Sequence, residues 1–140
     1  MFELDDLPEV ALGGLNELHA EEVEMINRLA ELAEEVMSSP DSETEAQEID
    51  ALLGLFGEHV EEHFEIEQTN MAKTEYDGLA DHKAEHDAIR ELLVNLVNAW
   101  QRSRDAAPLV TFFESYLPEW FVDHVGTFDV PTAEHVAAVS

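Results

Sequence analysis

Seven residues of this chain are of the types and spacings that hold metal ions: His19, His63, Glu67, His82, His86, His124 and Asp129. They stand as a lone histidine, then H-x-x-x-E, then H-x-x-x-H, then H-x-x-x-x-D. Five imidazoles and two carboxylates are donors enough for two ions. Nitrogen and oxygen donors of this kind suit iron, manganese, zinc or copper. The chain has no cysteine, so a disulfide framework and a thiolate site are both excluded.

On a helix, residues four apart stack on one face about one turn from each other. His63 with Glu67, and His82 with His86, can therefore each grip one ion or touch two neighbouring ones. His124 and Asp129 are five apart, about 140° out of phase on a regular helix. They can face one site only if the helix ends, unwinds or bulges between them. Gly126 and Pro131 weaken the segment, and a one-residue π-bulge would serve equally. Asp129 has a second reading as the N-cap of a helix opening at Pro131. A single H-x-x-x-H is a common surface pattern, whereas all seven residues spread over four helical segments match the way bundle cores build dinuclear sites.

The elements that must position these residues follow from periodicity and punctuation. Helices are expected over about 7–37, 43–73, 79–103 and 108–126, with a short one over 131–138. Ser42 and Glu45 have capping-box spacing, Tyr76-Asp77-Gly78 signals a turn, and Pro108 suits a first helical turn. No stretch alternates with period two long enough for a strand. Short connections between long helices imply antiparallel neighbours. The expected fold is all-α: an up-down-up-down four-helix bundle with a short C-terminal helix, one domain over 1–140. On the first helix His19 lies inside the apolar stripe of Leu12, Leu15, Ile26, Ala30, Ala33 and Val36. A histidine there needs a partner or a metal, because an unpaired buried polar group costs about 1–3 kcal/mol.

Charge narrows the function classes. Thirty-three acids against six Lys plus Arg give a formal net charge of −27. Such a surface repels phosphate backbones and anionic membranes, so no nucleic-acid or membrane partner is expected. The N-terminal MFELDDLPEV lacks the basic and apolar regions of a secretory signal, and no apolar run approaches the roughly 20 residues of a membrane span. A cytoplasmic location is the expectation. The acidity also fits a high-salt cytoplasm, where dense carboxylates are screened.

The chain resembles the hemerythrins, specifically the bacterial single-domain type, from about Glu17 to Pro131. Beyond the seven residues, the resemblance rests on Ile26-Asn27, on His63-Phe64 followed by Glu67, and on Met71. It also includes Tyr76 ahead of His82, Trp120 ahead of His124, and the long gap between His86 and His124. It implies two irons, with His82, His86 and His124 on one and His19 and His63 on the other. Glu67, Asp129 and an oxo or hydroxo group would bridge them. The second iron would be five-coordinate and would bind dioxygen, held as hydroperoxide, for storage, delivery or sensing. Trp120, Phe121 and Val125 would line the oxygen pocket, although aromatics at helical spacing are also plain core. No residue is assigned a catalytic role, and the sequence identifies no protein partner.

One position departs from the family. Three residues after the first histidine, where a pocket leucine is usual, stands Glu22. Helix phase turns it inward between Leu15 and Ala33 on one side and Leu18 and Leu29 on the other. A buried carboxylate must be protonated, paired or metal-bound. Glu22 is therefore expected as an extra ligand to the open iron or a hydrogen-bond partner of what binds there. This supports an alternative function as a diiron oxidase, peroxidase or nitric oxide–processing enzyme. His59, four before His63, reads as a partner behind the ligands, a proton relay or a satisfied core histidine. His135 is expected to be exposed.

Overall fold

The computed structural model describes residues 2–139. After a short 3-10 turn at Leu4–Asp6 come α1 (Gly13–Ser38), α2 (Glu43–Lys73) and α3 (Leu79–Ser103). The fourth column is built of α4 (Ala107–Thr111), α5 (Leu117–His124) and α6 (Val130–Val139). Two π-helical turns, Phe112–Tyr116 and Val125–Asp129, join these pieces. No strand occurs among the described residues. α1 packs on α2 and on the fourth column, α2 on α3, and α3 on α4, which closes a four-helix bundle.

The core follows the helical repeat. Ile26, Leu29, Leu32 and Ala33 of α1 are fully buried, as are Ile49 and Met71 of α2 and Ile89 of α3. Each large aliphatic side chain so placed contributes about 1.5–3 kcal/mol. Charged residues occupy the opposite faces, as the acidic composition demands.

The first helix begins at Gly13 rather than near Leu7. Leu7 and Val10 are instead buried in a non-helical segment that runs along α1, from Asn27 beside Phe2 to Asn16 beside Val10. Both amide groups of Asn16 fix that segment: Val10 N–H donates to Oδ1 at 3.0 Å, and Nδ2 donates to the Val10 carbonyl at 3.0 Å. Further back, Phe2 is pinned by Asn27 through two backbone hydrogen bonds. The Ser42–Glu45 capping box does not form. Ser42 is the N-cap of α2, but its hydroxyl donates to the Ser39 carbonyl at 2.9 Å and makes no cap bond.

The larger correction concerns the fourth column. It does not stop near Gly126 and restart at Pro131, because Val125–Asp129 forms a π turn that runs directly into α6. Both π turns end two residues before a proline, Pro118 and Pro131. Proline donates no N–H to the preceding turn, so a widened turn there costs little. At the far end of α6, His135 is half-buried rather than exposed, with Nε2 2.9 Å from the Thr74 carbonyl and its ring against Tyr76. α6 is thereby fastened to the turn between α2 and α3.

Candidate metal centre

Each element delivers its share of the seven residues to one point in the bundle. α1 supplies His19, α2 His63 and Glu67, α3 His82 and His86, α5 His124, and the second π turn Asp129. None is more than 1 % exposed. In a π turn the backbone closes from residue i to i+5, so His124 and Asp129, five apart, come to lie one turn apart on one face. Asp129 is not a helix cap.

The two carboxylates stand between two groups of imidazoles. Asp129 Oδ1 is 3.0 Å from Nε2 of both His82 and His124, while its Oδ2 is 3.2 Å from His19 Nε2. Glu67 Oε1 is 3.0 Å from His63 Nε2 and 3.5 Å from His86 Nε2, and its Oε2 is 3.6 Å from His82 Nε2. Donor atoms of Glu67, His82, His86, His124 and Asp129 lie within 4.8 Å of one another, as do those of His19, His63 and Asp129. Asp129 belongs to both sets.

Burial and neighbouring charge set the protonation of the cluster. Burial alone would raise Asp129, but the close imidazoles of His124, His19 and His82 hold it well below the usual carboxylate range. Glu67 is driven well above that range by burial first and then by the Asp129 charge. Burial, then the charges of His82 and His124, push His86 down to about 2, so it is a neutral imidazole with a free lone pair. Burial pulls His63 downward too, yet the Glu22 charge and hydrogen bond carry it well above its ordinary value.

The Nε2 atoms of His63, His82, His86 and His124, both oxygens of Glu67 and Oδ1 of Asp129 are buried without a hydrogen-bond partner. Buried polar atoms are rarely left so. Here they converge, carry lone pairs and include two carboxylates, which is a donor set that a metal cation satisfies. Sequence comparison agrees: the hemerythrin HHE cation binding domain matches residues 11–128. The chain belongs to the hemerythrin family. It is 27 % identical over 122 residues to the bacteriohemerythrin of Aquifex aeolicus (strain VF5), covering 87 % of each chain. No solved structure matches it.

In this hemerythrin-family chain the buried histidine–carboxylate cluster is the candidate metal site, and further groups back its imidazoles. His82 Nδ1 lies 2.8 Å from the Thr132 hydroxyl, and His86 Nδ1 3.2 Å from Gln68 Oε1. Phe64 stacks on His86 with ring centroids 3.7 Å apart, and Trp120 stacks on His124 at 4.4 Å. Sequence reading did not find Thr132 or Gln68. Thr132 was detectable in principle, three residues after Asp129 on the same helical face. Gln68 carries no such signal, since it adjoins Glu67 and faces α3 only in three dimensions.

The structure does not bring Glu22 into either donor group. Glu22 is buried, as helix phase requires, but its Oε1 is hydrogen-bonded to His63 Nδ1, the nitrogen turned away from the cluster. The His63 ring stands between this carboxylate and the other donors. Burial alone would raise Glu22, but the His63 charge, the His63 hydrogen bond and the neighbouring His59 ring bring it below its ordinary value. His59 lies behind it, with Nδ1 3.5 Å from Glu22 Oε1 and Nε2 2.6 Å from Glu21 Oε2. A small cavity of about 20 Å³ lies beside His63 and Glu22. Its other walls are mainly apolar and include Ile26, Leu117, Trp120 and Phe121. Val125 is fully buried but does not border it. Among the described residues, no helix is long and apolar enough to cross a membrane.

Proposed function

We propose that this protein holds two iron ions and binds dioxygen reversibly, for storage, delivery or sensing. The observation that carries the reading is the division of Asp129, with Oδ1 turned to His82 and His124 and Oδ2 to His19. A carboxylate shared between two donor groups is what a bridged pair of metals needs, and Glu67 repeats the arrangement between His63, His86 and His82. In this reading His82, His86 and His124 hold one iron, His19 and His63 the other, and Glu67, Asp129 and an oxo or hydroxo group bridge them. Bound there, the irons would supply two electrons and an open position for a diatomic ligand on the side with fewer imidazoles.

The chain's own part is to hold neutral imidazoles and anionic carboxylates in place and to keep water out. The cavity beside His63 has room for about one or two small atoms, since a single water needs about 10–15 Å³. Its apolar walls admit dioxygen and slow proton entry. Nitric oxide or peroxide would fit the same space. With Glu22 on the outer nitrogen of His63, no contact in the cluster favours the oxidase alternative over ligand binding.

The test is metal content by elemental analysis together with the visible spectrum of the reduced protein under oxygen and under argon. Two equivalents of iron and a charge-transfer band that bleaches on deoxygenation are expected. Fewer than two equivalents, or oxidation on first exposure with no reversible band, would refute the reading.

A further inference from the structure

The five imidazoles differ in what faces their outer nitrogen. His82 has a hydroxyl and His86 a neutral amide oxygen. His124 Nδ1 is 3.7 Å from Glu85 Oε1, beyond hydrogen-bond reach. His19 Nδ1 is buried without a partner. Among the described residues, His63 alone of the five is hydrogen-bonded to a carboxylate through this nitrogen, and that carboxylate, Glu22, is 4 % exposed.

With Nε2 directed at the cluster, Nδ1 of His63 carries the proton and donates it to Glu22. The pair is charge-assisted and stronger than the contacts to Thr132 and Gln68. An anionic acceptor draws the Nδ1 proton away from the ring and leaves Nε2 a more basic donor. Packing does not require the carboxylate, since the cavity wall it joins is mostly apolar. A buried charge in such a wall is costly unless held on more than one side. Here the His63 N–H is bonded to its Oε1, and the His59 ring stands 3.5 Å from the same oxygen.

We propose that Glu22 is a positioning residue that sets the two metal positions apart: it fixes the His63 ring with Nε2 inward and biases the metal held by His19 and His63 toward its higher oxidation state. The three-histidine position has a hydroxyl behind His82, an amide behind His86 and Glu85 no nearer than 3.7 Å to His124, so it lacks a hydrogen-bonded carboxylate and with it this bias. The inference rests on the diiron reading and adds an inequality between the two ions that the ligand set alone does not contain.

The experiment compares the wild type with Glu22→Gln and Glu22→Leu. Each protein is titrated with Co(II) and followed by its visible spectrum. The iron-loaded forms are titrated for reduction potential. Glutamine is isosteric and still accepts from Nδ1 but has no charge, so a leucine variant that fails to fold leaves the test intact. Two Co(II) equivalents are expected in the wild type. The weaker equivalent should lose about 10–100-fold in affinity in Glu22→Leu and less in Glu22→Gln. In both variants the potential of one of the two irons should rise. A tenfold loss of ferric preference corresponds to about 59 mV for one electron. If both variants bind two Co(II) as tightly as the wild type and titrate at unchanged potentials, the inference is overturned. A wild type that takes fewer than two Co(II) equivalents overturns the diiron reading instead, and the inference with it.

Discussion

Removing the metal should cost this protein much of its stability, and the structure sets the scale. Seven buried donor atoms converge on the site with no hydrogen-bond partner: Nε2 of His63, His82, His86 and His124, both oxygens of Glu67 and Oδ1 of Asp129. Each such atom left unpaired costs about 1–3 kcal/mol. Protons can repair part of this. A protonated His63 donates to Glu67 across 3.0 Å, and a protonated His124 to Asp129 across 3.0 Å. If roughly half of the atoms are so satisfied, the net loss on stripping is about 5 kcal/mol. For a chain of 140 residues that lowers the melting temperature by about 15–20 °C. The assay is thermal unfolding by circular dichroism, before and after dialysis against a strong chelator.

The pH dependence has a definite sign. In the stripped protein, His63 has a folded pKa well above its ordinary value, chiefly because the Glu22 charge and hydrogen bond outweigh burial. Its stabilisation is complete below about pH 6.5, the unfolded value, and is lost as pH rises through the folded value. Protons also compete with the metal at low pH. The difference between loaded and stripped protein therefore widens above about pH 6.5 and narrows below it. A stripped protein that melts within about 3 °C of the loaded one throughout pH 7 to 9 would refute the claim that the donor atoms are held unsatisfied without metal.

Two further outcomes are expected. Thr132→Val, which removes the hydroxyl 2.8 Å from His82 Nδ1, should weaken metal binding about 10–100-fold with little change in helix content, as read by Co(II) titration and circular dichroism. With a net charge of −27, the stripped protein should melt higher as sodium chloride is raised from 0.05 to 1 M, because the Debye length falls to about 3 Å at the upper end; a flat melting temperature would show that the acidic faces do not repel one another.

Helix phase explains why so much could be read in advance. His63 with Glu67 and His82 with His86 sit at the helical repeat, so their common facing needed only the number 3.6. His19 was marked by the apolar residues around it. The same reasoning turned Glu22 inward correctly, and burial followed. What phase cannot give is which atoms meet. Glu22 and His63 lie on different helices, and whether the carboxylate meets the ring's inner or outer nitrogen depends on the packing of α1 against α2. The N-terminal start failed for a related reason: Leu7 and Val10 look like helical core residues, but their burial comes from a non-helical segment tied to Asn16. His135 looked like tail because its partner, the Thr74 carbonyl, is backbone and leaves no mark in the sequence.

The widened turn at Val125–Asp129 has a consequence for chain length. It amounts to one surplus residue accommodated inside a helix that is otherwise regular on both sides. Deleting any one residue between Val125 and Phe128 would shorten the step from His124 to the aspartate to four, the interval α2 and α3 already use. The column would then close as ordinary α-helix with both side chains still facing the same way. A site of this design tolerates a single-residue deletion at that point, and a search pattern with one fixed spacing would pass over sequences able to build it.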